Sequence, residues 1–154
     1  VLTTVSMAGL LPGAGTYGVS KHAVMALTEA LSRDLITRQT KINASVLCPG
    51  FVDTNIDKSE RNRPSHLGDA RETTNERGTE IMSAMLRQGK KPDEIAEIVL
   101  EAIKKNIFYI LSHPAWDDSL RSHFDNILSR KEILPNSEEE MAKFFSPRND
   151  GEKY

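Results

Sequence analysis

The sequence predicts an α/β fold built on a parallel sheet, and three observations carry that prediction. An apolar, β-branched opening run (residues 1–5) is followed by a long stretch with helical periodicity (17–38), then by a second apolar run (41–48) that stops at Pro49-Gly50. Strand, helix, strand in that order is a βαβ unit, which joins parallel strands through a right-handed crossover. Both strands then end at the same edge of the sheet, and ligands of open parallel sheets bind outside the carboxyl ends of the strands. Ser6 with its loop and the segment from Pro49 to Thr54 are therefore where chemistry is expected.

Each element has its own local cause. Residues 1–5 read as a buried strand, and Ser6-Met7-Ala8-Gly9 leads into a Pro/Gly-rich loop at 10–15. From 17 to 38 there is no proline, and Ala23, Leu27, Ala30, Leu31 and Leu35 recur at helical spacing. Val24, Met25 and Ala26 widen that stripe beyond what one sheet face needs, so a second surface such as another subunit is expected to cover part of it. Residues 58–80 contain only Leu67 and Ala70 from the hydrophobic set and are expected to form a mobile insert. Pro92 with Asp93 and Glu94 starts a helix continued by Ile95, Ile98, Val99, Ala102 and Ile103. A third strand is expected at 107–111, then His113-Pro114 and a polar helix at 118–130. Ser137 before Glu138, Glu139 and Glu140 caps a last short helix ending near Phe145, and the tail 146–154 is expected to be disordered.

Composition bounds the function classes. With 154 residues, 38% of them hydrophobic, the chain is long enough to bury a real core. Its 20 basic and 22 acidic residues leave a net charge of −2 and no basic block for a nucleic-acid backbone. No apolar stretch approaches the ~20 residues of a membrane span. Cys48 is the only cysteine, so no intrachain disulfide forms and a cytoplasmic location is expected. The first residue is Val1 and the opening run reads as a buried strand, so the chain is expected to start inside a larger unit.

Tyr17 and Lys21 are four residues apart at the start of the long helix, on one face and one turn apart. A phenol ionises at about pH 10, and a neighbouring ammonium favours the phenolate, which turns a poor acid/base into a usable one. Ser6 lies eleven residues upstream at a strand end, where its hydroxyl could meet the phenol across a substrate carbonyl.

Val5-Ser-Met-Ala-Gly9, Tyr17-Gly-Val-Ser-Lys21 and Cys48-Pro-Gly-Phe-Val-Asp-Thr54, taken in that order, closely resemble the motifs of the classical short-chain dehydrogenase/reductase family. The resemblance covers roughly residues 1–115. It implies a partial Rossmann-like, doubly wound parallel sheet, the C-terminal catalytic portion of one domain spanning 1–145, with the first strands missing. It implies Tyr17 as general acid/base, Lys21 on the nicotinamide ribose hydroxyls and Ser6 orienting the substrate oxygen. Pro49 and Gly50 would shape the loop under the nicotinamide, Val52 and Thr54 would hold its carboxamide, and residues 55–88 would form the substrate lid. The cofactor implied is NAD or NADP, the substrate a small secondary alcohol or ketone, and the assembly a homo-oligomer through the 17–38 helix. The Ser6 to Tyr17 spacing is shorter than the family's most frequent one, and the Gly-rich dinucleotide turn has no counterpart here.

Two other functions stay open at this point: a non-catalytic fragment unable to hold a dinucleotide, and an epimerase or dehydratase of the family's extended branch, which Pro49-Gly-Phe-Val52-Asp-Thr54 disfavours. Gly9-x-x-x-Gly13-x-Gly15 imitates a dinucleotide fingerprint, but Pro12 removes a donor N–H and Asp34 falls inside the helix instead of at a strand end. His22 reads as helix surface and His66 as a loop residue. His113 and His123 lack the spacing of a zinc site, Cys48 reads as packing, and Phe108, Tyr109 and Trp116 as core or subunit contacts.

Overall fold

The computed structural model describes residues 1–68 and 76–132. The helix expected from Ser137 and the 146–154 tail lie outside the described residues. Element order is β1 (Leu2–Thr4), a 3-10 turn (Met7–Gly9), α1 (Gly15–Thr37), β2 (Ser45–Leu47), 3-10 turns at Ile56–Asn62 and Ser65–Leu67, α2 (Glu76–Arg87), α3 (Pro92–Lys104), β3 (Tyr109–Ile110), a 3-10 turn (Pro114–Trp116) and α4 (Asp117–Leu128). The chain divides into two compact units. Among the described residues, one comprises 1–50 and 97–132, the other 51–68 and 76–96.

The first unit holds a parallel three-stranded sheet of order β1-β2-β3. Thr4 pairs with Leu47 and Leu47 with Ile110, which is the α/β architecture that the strand-helix-strand pattern predicts. Hydrogen bonds continue past the strand ends, from Val5 N–H to Leu47 O at 2.8 Å and from Met7 N–H to Pro49 O at 2.9 Å. Val5, Met7, Met25, Val46 and Cys48 form the buried core, with Val24, Phe108, Trp116 and Leu120 packed against it. Removing Met7, 1% exposed, by substitution to alanine would cost roughly 2–5 kcal/mol.

Three differences from the sequence pattern have physical causes. The second strand covers Ser45–Leu47 and not 41–48, because Thr40 Oγ1 bonds both the N–H and the C=O of Ile42 and turns Lys41, Ile42 and Asn43 out to solvent. On α1 the buried residues are Gly18, Met25 and Thr28, while Ala23, Leu27 and Ala30 are exposed. Thr28 is accepted inside because its hydroxyl donates to Val24 C=O at 2.8 Å, which satisfies a buried polar group. Tyr109 is neither core nor free surface: its hydroxyl donates to the Glu29 carboxylate at 2.8 Å and ties β3 to α1. That bond, with partial burial, holds the phenol proton more tightly than usual.

The second unit contains α2, which the polar composition of residues 58–80 did not suggest. Ile81, Met82, Met85 and Leu86 recur at helical spacing just past that stretch, and Leu86 is buried. Ser83 Oγ donates to the Asp57 carboxylate at 2.7 Å, linking α2 to the preceding 3-10 segment. At the start of α3, Glu94 reaches back to accept the Lys91 N–H at 2.8 Å and Pro92 takes the first helical position, one half of a capping box, which satisfies the Lys91 donor.

Candidate active site

The site is built on the ends of the strands. Past β1 the chain stays extended through Ser6 and then folds into the Met7–Gly9 turn. Ser6 Oγ accepts the Ala8 N–H at 3.2 Å and Ser6 C=O accepts the Gly9 N–H at 2.9 Å. Because the hydroxyl oxygen is used as an acceptor inside the turn, its hydrogen is the part of the group left to address a second acceptor. Ser6 is half-buried.

The turn seats directly on α1. A Cβ placed on Gly9 would stand 3.0 Å from the Lys21 carbonyl oxygen, so only glycine lets the two backbones approach this closely. The Ser6 turn is thereby packed against the helical turn that carries Tyr17 and Lys21. Tyr17 is 48% exposed, and the Lys21 ammonium lies 5.5 Å from the centroid of its ring, within the range of a cation–π contact. Ser20 Oγ donates to Tyr17 C=O at 2.7 Å and anchors the same turn. His22 Nδ1 lies 2.9 Å from Gly18 C=O, where it donates, and the residue lines a hollow of about 290 Å³ with the 11–15 loop, Gly18 and Val19.

Pro49 and Gly50 follow β2 at the same edge. The peptide between them is bonded at both ends: Pro49 C=O accepts the Met7 N–H at 2.9 Å, and Gly50 N–H donates to His113 Nδ1 at 3.1 Å. Beneath them Cys48 is wholly buried. Burial pushes its thiol up to about 11, against a smaller opposing effect of the Ser6 backbone hydrogen bond, so the thiol is a packing group and not a nucleophile at neutral pH.

Val52 and Thr54 belong to the second unit and are half-buried there. Val52 forms a parallel bridge with Lys90, and Asp53 N–H donates to Lys90 C=O at 2.9 Å. The Asp53 carboxylate accepts from Lys91 Nζ at 2.5 Å and lies 3.6 Å from Arg87 Nη1. The Lys91 hydrogen bond, with the charges of Lys91 and Arg87, holds this carboxyl below the usual carboxylate range. Two residues with a part in this architecture do not stand out in the sequence. Asp53 lies between motif residues, and His113 has no zinc-site spacing, although it follows the third strand, where the strand-end rule applies equally. Among the described residues no cluster of three or more His, Cys, Asp or Glu could hold a metal ion, and no helix is long and apolar enough to cross a membrane.

The chain is similar to known proteins. A family model described as short chain dehydrogenase matches residues 1–65. A CLA biosynthesis dehydrogenase/reductase of Lactiplantibacillus plantarum is 32% identical over 84% of this chain and 48% of its own length. A 1-deoxy-11-beta-hydroxypentalenate dehydrogenase of Streptomyces exfoliatus is 32% identical over 91% of this chain and 44% of its own. The chain thus spans about half the length of the curated relatives it matches. A solved short chain dehydrogenase/reductase from Burkholderia phymatum, in complex with NAD, superimposes with a TM-score of 0.80 at 37% identity, covering 88% of this chain and 50% of that one. The ordered motifs, the parallel sheet that carries them and these likenesses agree: the chain belongs to the short-chain dehydrogenase/reductase family.

Proposed function

We propose that this chain carries the proton-transfer and substrate-binding part of an NAD(P)-dependent oxidoreductase acting on a secondary alcohol or ketone. The observation that carries the reading is the seating of the Ser6 turn on the helical turn bearing Tyr17 and Lys21. NAD in the Burkholderia phymatum relative supports a nicotinamide cofactor. The residues present suit one: a half-exposed phenol, an adjacent ammonium and a hydroxyl with a hydrogen to donate. When bound, the nicotinamide supplies the hydride acceptor or donor.

The residues of the chain do the rest. Ser6 donates its hydroxyl hydrogen to the substrate oxygen and fixes its direction. Tyr17 takes the hydroxyl proton as the alcohol is oxidised, or returns one to the carbonyl oxygen in reduction. Lys21 holds the ribose hydroxyls, the Pro49-Gly50 turn lies under the nicotinamide, and Val52 and Thr54 hold its carboxamide. Residues 55–88 serve as the substrate lid, and the protein works in the cytoplasm. A homo-oligomer forms through α1, whose Val19, Leu27 and Ile36 side chains are exposed.

Replacing Tyr17 with phenylalanine in the full-length gene product tests the reading. Turnover is expected to fall by about 10²–10⁴-fold, and undiminished turnover would overturn it. That the chain spans about half of its relatives favours a second statement: these 154 residues alone hold no dinucleotide. Fluorescence titration with NADH is expected to show no saturation, and micromolar binding would refute that statement.

A further inference from the structure

We infer that His113 is a positioning residue that clasps the Pro49-Gly50 peptide to the end of the third strand; this rests on the proposed role of that turn beneath the nicotinamide. The peptide plane between Pro49 and Gly50 is held from opposite sides. Its oxygen accepts the Met7 N–H, one residue beyond Ser6, at 2.9 Å. Its N–H donates to His113 Nδ1 at 3.1 Å. One rigid peptide is thereby fixed between the carboxyl ends of β1 and β3, and its height relative to Ser6 follows from both bonds.

The bond defines the state of the histidine ring. A backbone N–H is a donor in every protonation state, so Nδ1 receives it only with its lone pair bare, which puts the ring proton on Nε2. Ser112 Oγ, wholly buried, lies 3.0 Å from the same Nδ1; with that nitrogen bare, the hydroxyl is the donor of this pair and shares the single lone pair with the Gly50 N–H. If Nδ1 carried a proton, the ring would donate to Ser112 Oγ and face the Gly50 N–H with a second hydrogen.

Close approach explains the glycine. A Cβ at Gly50 would stand 3.0 Å from His113 Cγ, 3.1 Å from Cδ2 and 3.1 Å from Trp116 Nε1. The imidazole and indole lie over the place where any other side chain would start. Proline at 49 fixes the preceding φ and lacks an N–H, so the Gly50 N–H is the first backbone donor of the turn and His113 supplies its acceptor.

Three measurements test this. In the ¹⁵N spectrum of the imidazole, Nδ1 of His113 is expected to be bare and Nε2 protonated; a protonated Nδ1 overturns the clasp. His113→Leu removes the acceptor and is expected to speed exchange of the Gly50 amide up to about tenfold, the worth of one hydrogen bond, while His113→Asn, whose Oδ1 accepts near the same place, restores slow exchange. Unchanged exchange in His113→Leu overturns the clasp, and should that variant fail to fold, the imidazole spectrum and His113→Asn still decide. In the full-length gene product His113→Leu is expected to raise KM for the dinucleotide about tenfold with kcat within about twofold, and His113→Asn to return it toward wild type. An unchanged KM overturns the positioning role. Absence of any dinucleotide-dependent turnover in the wild-type gene product would overturn the oxidoreductase reading instead, leaving the clasp to be judged by spectrum and exchange.

Discussion

Replacing Gly9 with alanine probes the contact on which the candidate site depends. The new methyl would stand 3.0 Å from the Lys21 carbonyl oxygen and 3.1 Å from its carbon, where ordinary contact begins at 3.4 Å, and it would overlap Val5 Cγ1. Val5 is 2% exposed and part of the core cluster, so its side chain has no empty space to rotate into. The turn itself is held by Met7 N–H on Pro49 O and by Gly9 N–H on Ser6 O, and Lys21 is fixed inside a continuous helix. The turn and α1 must therefore part by a few tenths of an ångström against bonds on both sides. Overpacking of that kind costs about 1–3 kcal/mol. For a chain of this size, each kcal/mol moves Tm by about 2–4 °C, so a loss of roughly 2–12 °C is expected.

The assay is thermal unfolding by far-ultraviolet circular dichroism, run on Gly9→Ala, Val5→Ala and the double variant. Val5→Ala removes the side-chain overlap but not the approach to the Lys21 carbonyl. The cycle of the two substitutions therefore separates the side-chain clash from the backbone clash. If Gly9→Ala alone melts within about 1 °C of the wild type, the turn is not seated on α1 as described, and the proximity of Ser6 to Tyr17 and Lys21 loses its structural basis.

Two further expectations follow from the electrostatics. Asp53 is held ionised below its ordinary value of 3.8 by Lys91 and then Arg87. A depressed folded-state pKa contributes stability above the unfolded value and loses it as pH falls through the folded one. Asp53→Asn is therefore expected to lower the urea midpoint at pH 7, with the gap to wild type closing below about pH 4; a gap that stays constant would refute the ion pair. Cys48, raised from 9.0 to about 11 by burial, carries about a hundredfold less thiolate at pH 8 than an ordinary thiol. Ellman's reagent is expected to modify it only after unfolding in urea, and rapid native labelling would show that the strand end opens.

What could be read in the sequence is where propensity and packing agree. The strand in the run at 1–5, the proline-started helix at Pro92 and the polar helix before Arg130 all appear within a few residues of their expected bounds, but the first strand is not buried as expected: Leu2 and Thr4 are exposed, because β1 lies at the edge of the sheet. Where the pattern failed, a polar group had found a local partner. Thr28 is polar by composition yet buried, because its hydroxyl is satisfied within the helix, and so the inward face of α1 is rotated away from the Ala23, Leu27 and Ala30 stripe. Helix α2 was hidden by the polar stretch before it. The motif residues were legible because their identity is dictated by backbone proximity and by chemistry. His113 was not, because nothing local to Ser112-His113-Pro114 reveals that Gly50, 63 residues away, supplies its donor.

The sheet register gives these separate observations a common cause. Thr4, Leu47 and Ile110 are aligned across the three strands. Two residues beyond each, at the same edge, stand Ser6, Pro49 and Ser112. Since side chains alternate with a period of two, a slip of one residue in either pairing would turn the side chains of a whole strand to the opposite face of the sheet. Residues 44–48 are all buried, so a slip of β2 would take Val46 and Cys48 out of the cluster they form with Val5, Met7 and Met25 and put Ser45 and Leu47 on that face. The hydrophobic core therefore sets the alignment of the polar residues at the strand ends, and the double bonding of the Pro49-Gly50 peptide is what that alignment makes possible. A substitution that moved β2 by one position would dismantle Ser6, the Pro49-Gly50 turn and His113 together, although it touched none of them.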